Sequence, residues 1–386
     1  MTLRRVIKGL AAFAILAVLG VVALWLEHRT NISLPEPTGA FAVGRALFDW
    51  RDDPTTKREL LVWIWYPAQP GAVLDDYVPS SVRVPAGRAR LSLFSLLTRD
   101  LSKVHGHSLR NATMSPQQRS YPVVIMRTGA SAPVMNYSTL AEDLASHGYV
   151  VVGFDAPYRT GLVVFPDGRV IARTPENNPE LYSGKEFTRV AEKLLAAWIA
   201  DMAFVLDRLE RLNASGQFAG RLDMSRVGVF GHSFGGAQAL QFCHDDARCK
   251  AGIDIDGAPL GSVIQTGLHQ PFMFLLSDHG DLSSDAAGRQ IMANIRSIYD
   301  HLPPNGRVLL MIRGANHFTF SDDGALLKSH VLRAIFRLFG KLGIDGRREL
   351  VVTAHCVHSF FDAELNGASI SQITPSPLYP EIRALE

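Results

Sequence analysis

Apolar residues fall along this chain in three patterns. At the front they are continuous. Leu10–Leu26 reads LAAFAILAVLGVVALWL, without a charge. With Val6 and Ile7 the run approaches the roughly 20 residues that a bilayer-spanning helix needs. Further on come short β-rich runs, several of them apolar on both faces, as strands inside a parallel sheet are. They are Leu60–Tyr66, Pro122–Met126, Tyr149–Phe154, Val227–Phe230, Gly252–Ile255, Pro271–Leu276 and Arg307–Ile312. Between them the spacing turns helical, over Tyr137–His147, Phe187–Leu212, Phe234–Cys243, Asp285–His301 and Gly324–Phe339. The first stops at Gly148, as a C-cap demands. The second puts Val190, Leu194, Leu195, Trp198, Met202, Val205, Leu206 and Leu209 on one face.

Alternating strands and helices predict a doubly wound α/β domain with a mostly parallel sheet. The expected division is a signal-anchor or transmembrane segment (1–29), a linker (30–40) and one large domain (41–386). Two prolines and a glycine mark the linker. Within the domain, residues 67–120 break the alternation with Pro, Ser and Arg and carry the apolar patch Leu91–Leu97. They read as an insertion, either a lid or a plain surface loop. Residues 346–386 read as a last helix, apolar over Val357–Leu365, and a tail with Pro375–Pro380, packed against the domain.

Composition narrows the class. Of 386 residues, 47% are hydrophobic and 20% charged, which excludes a disordered chain. The net charge of +2 excludes a dedicated nucleic-acid binder. Residues 1–29 hold four of the 39 Lys and Arg but one of the 37 Asp and Glu, so the remainder is almost neutral. Arg4, Arg5 and Lys8 precede the apolar run, and only Arg29 follows closely. The positive-inside rule keeps that end cytoplasmic and exports the rest. No clear A-x-A-like cleavage site follows, which favours an uncleaved anchor with an extracytoplasmic domain; cleavage would make the domain secreted. Cys243 and Cys249 bracket a short loop, as a disulfide of an exported domain or as two buried thiols, and Cys356 is left over. No Cys/His cluster has ligand spacing and no Gly-rich phosphate loop occurs, so neither metal nor cofactor is expected.

The sharpest motif is Gly231-His232-Ser233-Phe234-Gly235, a G-x-S-x-G nucleophile elbow. With 32 glycines in the chain a bare match is weak. Its setting is stronger, because VGVF precedes it as a strand and AQALQF follows as a helix. A serine hydroxyl needs a base, and the base an orienting acid, in the chain order serine, acid, histidine. His317 follows the strand RVLLMI and is the candidate base. Asp256, Asp278 and Asp281 all end strands ahead of it, and position alone does not separate them. Asp254 shares the face of Asp256 one step deeper in the sheet. Oxyanion donors are expected from the Phe234 N–H and from the loop after an early strand, where Gly129 and Ala130 stand.

These segments resemble the plasma-type platelet-activating factor acetylhydrolases and their bacterial relatives. The likeness is carried by GHSFGGAQAL around Ser233, GIDIDGAP around Asp256 and IRGANHFTFSD around His317. It extends to Asp143–Asp155, to GAFAVGRALFDW and to LLVWIWYPA, covering about residues 38–340 with the middle insertion unmatched. The resemblance implies an α/β-hydrolase fold and a serine esterase. It also implies Asp256 as the acid, Ala130 as the second oxyanion donor, and short acyl esters of phospholipids as substrates. Relatives usually carry His-Gly where this chain has Thr128-Gly129, a departure that bears on acyl preference. Other readings are a catalytically silent binding module of the same fold, which the intact Ser, Asp and His oppose, and an acyltransferase or amidase using the same residues.

Overall fold

The computed structural model describes residues 3–52, 58–84, 100–278, 286–326, 343–369, 373 and 376–385. The expected patch Leu91–Leu97, Asp281 and most of the expected helix 324–339 lie outside them. In chain order the strands are β1 (Ile32–Ser33), β2 (Ala42–Arg51), β3 (Glu59–Ala68), β4 (Val104–His105), β5 (Ser108–Arg110), β6 (Tyr121–Arg127) and β7 (Val150–Asp155). Then follow β8 (Leu162–Val164), β9 (Val170–Ala172), β10 (Leu222–His232), β11 (Cys249–Ile255), β12 (Phe272–Leu276), β13 (Arg307–Ile312) and β14 (Ile382–Ala384). The helices are α1 (Leu3–His28), α2 (Ser138–Ser146), α3 (Gly184–Leu212), α4 (Phe234–Asp245), α5 (Val263–Thr266), α6 (Ala286–His301), α7 (Asp322–Leu326) and α8 (Gly346–Asn366).

Ten strands form one sheet in the order β14-β13-β12-β11-β10-β6-β7-β3-β2-β5. From β13 through β7 every neighbouring pair is parallel, while β3 runs antiparallel to both β7 and β2. The sheet separates two cores. Along β3, Leu61, Trp63 and Trp65 face one core and Leu60, Val62, Ile64 and Tyr66 the other. This period-2 division, buried on both sides, explains why the strands look uniformly apolar in sequence. Helices α2 and α8 cover the first face through residues such as Leu140, Leu144, Val357 and Phe361. Helices α3, α4 and α6 cover the second. All eight apolar positions expected on one face of α3 are buried. Truncating one of them, Trp198, to alanine costs about 3–5 kcal/mol.

The stretch read as a linker is docked. Residues of β1 pair with β4, Leu34 is buried, and Asp143 Oδ1 accepts both the Thr38 N–H and its hydroxyl. The last helix starts eleven residues before its apolar run, because Asp345 caps it by accepting the Arg347 N–H. Beyond it, β14 adds an antiparallel edge to the sheet rather than a loose tail. A disulfide joins Cys243 at the end of α4 to Cys249 at the start of β11, and Cys356 is buried and free. In α1, Ile7–Glu27 is long and apolar enough to cross a membrane, and none of its most apolar window is buried.

Sheet order positions the site. Connections from β6 lead first to β7 on one side and then, through α3, to β10 on the other. Where strand order reverses, the carboxyl ends of β6 and β10 open a crevice. The loop Thr128–Ser131 stands at one lip and Ser233 at the other.

Candidate active site

Ser233 occupies the turn between β10 and α4 with φ 58° and ψ −123°, a backbone conformation that costs about 1–3 kcal/mol. Neighbours enforce it. The Ser233 N–H donates to the Ile255 carbonyl at 2.8 Å. A Cβ at Gly231 would lie 2.0 Å from the Gly235 carbonyl oxygen, and one at Gly235 would lie 2.6 Å from those of Arg127 and Thr128. The glycines thus let the elbow close on itself and on the end of β6.

His317 opens a single 3-10 turn after β13. Its Nε2 is 3.0 Å from Ser233 Oγ, and its Nδ1 is 2.7 Å from Asp256 Oδ2. Asp256 leaves β11 with φ 53°, which swings its carboxylate toward the end of β12. There Ser277 donates its N–H to Oδ1 at 2.8 Å and its hydroxyl to Oδ2 at 2.9 Å. Such a relay can accept the serine proton while the carboxylate stabilises the resulting imidazolium.

Two other candidate acids, Asp278 and Asp254, make different contacts. Asp278 is exposed; its Oδ2 accepts the Gly314 N–H at 2.9 Å and its own N–H donates to the Ala315 carbonyl. It braces the loop that carries His317 without reaching the ring. Asp254 is buried beneath the elbow, where Oδ1 accepts the Gly257 N–H at 2.8 Å. Burial, with the charge of Asp256 adding to it, holds its pKa well above the usual carboxylate range.

Ala130 and Phe234 line one cleft with Ser233 and His317. Among the described residues neither backbone N–H donates to a protein acceptor, as expected for the first residue of a helix such as Phe234. Thr128 turns its hydroxyl to the Ala132 carbonyl at 2.7 Å, closing the early loop on itself. The cleft has a volume of about 600 Å³, and Phe187, Leu260, Ile291 and Met292 give it apolar walls. A larger cleft of about 770 Å³ between α3 and α4 contains none of the three hydrogen-bonded residues.

Sequence reasoning missed three contributors. Ser277 directly follows the strand PFMFLL, yet a serine at a strand end is too common to stand out. Tyr137 Oη lies 2.7 Å from His232 Nδ1 and 3.4 Å from the Gly129 nitrogen. Glu349 reaches from α8 to within 2.5 Å of the Thr319 hydroxyl, which accepts the Asn316 N–H. Away from the cleft, Asp143, His147 and His358 gather with donor atoms within 4.8 Å of one another. Their rings argue against a metal. His147 and His358 stack with centroids 3.9 Å apart and planes 17° from parallel, so no point near both nitrogens lies in both ring planes. The group instead fastens the chain at Thr38 to α2 and α8.

Known proteins resemble this chain over most of its length. The family model for platelet-activating factor acetylhydrolase, isoform II, matches residues 26–157 and 204–369. It runs through the supposed insertion 67–120 and omits 158–203 instead, so the departure from the family lies around β8, β9 and most of α3. A probable 1-alkyl-2-acetylglycerophosphocholine esterase of Arthroderma benhamiae is 25% identical, covering 92% of this chain and 95% of its own. The platelet-activating factor acetylhydrolase of Cavia porcellus is 24% identical over 83% of this chain and 76% of its own. Among solved structures, a ferulic acid esterase from Streptomyces cinnamoneus superposes with a TM-score of 0.72 at 26% identity, covering 92% of this chain and all of that one. With the family pattern spanning most of its length, the chain belongs to the platelet-activating factor acetylhydrolase, isoform II, family and is a carboxylic ester hydrolase.

Proposed function

We propose that Ser233, His317 and Asp256 are the catalytic triad and that the enzyme works through an acyl-enzyme. Ser233 Oγ attacks the ester carbonyl while His317 Nε2 takes its proton. The N–H groups of Ala130 and Phe234 hold the tetrahedral oxyanion. His317 then returns the proton to the leaving alcohol, and water, activated by the same imidazole, releases the acid. Asp256 keeps His317 in the working tautomer and stabilises its cation. The single observation that carries this reading is the hydrogen-bonded series Ser233–His317–Asp256, at 3.0 and 2.7 Å.

The proposed substrates are short-chain acyl esters of phospholipids or related lipids, as the names of the relatives suggest. The proposed setting is a membrane, with residues 1–29 as an uncleaved anchor, 30–40 as its docked connection and the catalytic domain outside the cytoplasm. A second substrate class has its own support. The apolar cleft is roomy for an acetyl group, and the esterase with the similar fold is named for ferulic acid. An aromatic acyl ester is therefore the alternative.

The experiment is labelling with a fluorophosphonate, followed by an acyl series on the purified protein that includes acetylated phospholipids and feruloyl esters. Labelling should vanish in Ser233→Ala. Equal labelling of that variant would sink the triad. A kcat/KM that favours feruloyl esters over acetylated phospholipids would select the second class.

A further inference from the structure

The residue before the nucleophile does more than fill the elbow. His232 is buried, and burial, reinforced by the nearby His317 ring, lowers its pKa to about 3. A neutral imidazole must settle on one tautomer. Tyr137 is also buried, and its hydroxyl stands between His232 Nδ1 at 2.7 Å and the Gly129 N–H at 3.4 Å. Tyr137 Oη accepts from Gly129 and holds His232 Nδ1, as donor to one tautomer of the imidazole or as acceptor from the other. Either way the phenol ties the Gly129 peptide to the ring. The rings of His232 and His317 lie 4.7 Å apart. Gly129 lies against all three side chains: a Cβ built there would meet the Ser233 Cβ and Tyr137 Oη at 3.6 Å and His232 Nδ1 at 3.7 Å, ordinary van der Waals contact.

We infer that Tyr137 and His232 are positioning residues that set the Gly129–Ala130 loop at the height the oxyanion requires. The inference rests on the oxyanion reading above. Ala130 follows Gly129 directly, so a peptide that tilts at Gly129 re-aims the Ala130 N–H. Tyr137 anchors that peptide to the same strand end that carries Ser233. Neither side chain touches the reacting atoms; the pair fixes the distance between the two lips of the crevice. An oxyanion donor contributes through its placement before the reaction, so loosening it lowers transition-state binding and spares ground-state binding.

The test uses the full-length protein with p-nitrophenyl acetate, each variant's active sites being counted by fluorophosphonate titration. Tyr137→Phe should lower kcat per titrated site by about 10- to 100-fold, less than the loss of a whole donor, with KM changed less than twofold. Inhibition by a trifluoromethyl ketone, which mimics the tetrahedral oxyanion, should weaken in proportion. His232→Leu should match Tyr137→Phe, and the double variant should be no worse than either. His232→Asn can present an acceptor near the Nδ1 position and should recover much of the rate. A Tyr137→Phe enzyme with wild-type kcat per site overturns the inference. So does one with fewer titratable sites but unchanged turnover at each, which marks a merely structural role. Retained turnover in Ser233→Ala would instead bring down the triad reading beneath it, so the two failures are told apart.

Discussion

Asp256 accepts two hydrogen bonds from one residue, Ser277: the backbone N–H on Oδ1 at 2.8 Å and the hydroxyl on Oδ2 at 2.9 Å. With the bond from His317 Nδ1, this fixes the carboxylate plane before substrate arrives. In Asp256→Asn the amide can keep the Ser277 contacts while disfavouring the working histidine tautomer. The expected loss in kcat is about 10⁴-fold. Ser277→Ala removes only the hydroxyl and should cost about tenfold, in line with one hydrogen bond to a charged group. Steady-state kinetics on folded, active-site-titrated protein distinguishes them. Equal losses would mean that Ser277 does more than orient the carboxylate.

The elbow is also a packing joint. A Cβ on Gly235 would sit 2.6 Å from two backbone carbonyl oxygens at the end of β6, and neither can rotate away as a flexible side chain could. Gly235→Ala should lower unfolding stability by about 1–3 kcal/mol. It should also depress kcat, because β6 leads into the Thr128–Ser131 loop, the proposed oxyanion loop. Denaturant unfolding together with p-nitrophenyl acetate hydrolysis measures both. An alanine variant with native stability and rate would show that the elbow has slack that these distances deny.

Much of this was legible in the sequence, for physical reasons. Central strands buried on both faces read as apolar runs, and the 3.6-residue spacing of α3 marked its face. The elbow announced itself because a strand, a strained serine and a helix must be spelled with glycines in order. Other features were hidden by long-range pairing. In β2, Arg45 interrupts the apolar pattern, yet it is buried because Asp75 binds its guanidinium at 2.8 Å. Position did not separate Asp256 from Asp278, since both end strands ahead of His317; the contact of Asp256 Oδ2 with the His317 ring spans 61 residues and appears only in the fold. Ser277, Tyr137 and Glu349 act across 21, 95 and 30 residues of sequence. No local pattern encodes such partners.

The Cys243–Cys249 disulfide closes a short loop between α4 and β11, the elements that carry Ser233 and Asp256. A loop this short restrains the unfolded chain by about 2 kcal/mol. Replacing both cysteines with serine should lower the melting temperature by a few degrees and leave kcat per active site within about twofold. Thermal unfolding with and without reductant is the check. Insensitivity of the wild-type protein to full reduction would remove the stabilising role.

Glu349 stands behind His317. Its side chain reaches the Thr319 hydroxyl within the turn that carries His317, and burial raises its pKa to about 8. The sign follows from proton counting. Between the unfolded value near 4.5 and about 8, the folded state holds a proton that the unfolded state has lost. This group therefore reduces stability as pH rises through that window, by up to about 1.4 kcal/mol per unit. Asp322, also buried and raised to about 8, and Asp155, raised to about 6, slope the same way, so the total for the wild type is not a measure of Glu349 alone. Glu349→Gln removes one titration and preserves an acceptor for Thr319. Its unfolding free energy relative to wild type should climb steadily from pH 5 to pH 8 and then level off. Urea unfolding at half-unit intervals measures the difference. A difference that stays flat across this range would mean that Glu349 is ionised in the folded protein, and its contact with Thr319 would then have to be read as a charge-assisted hydrogen bond.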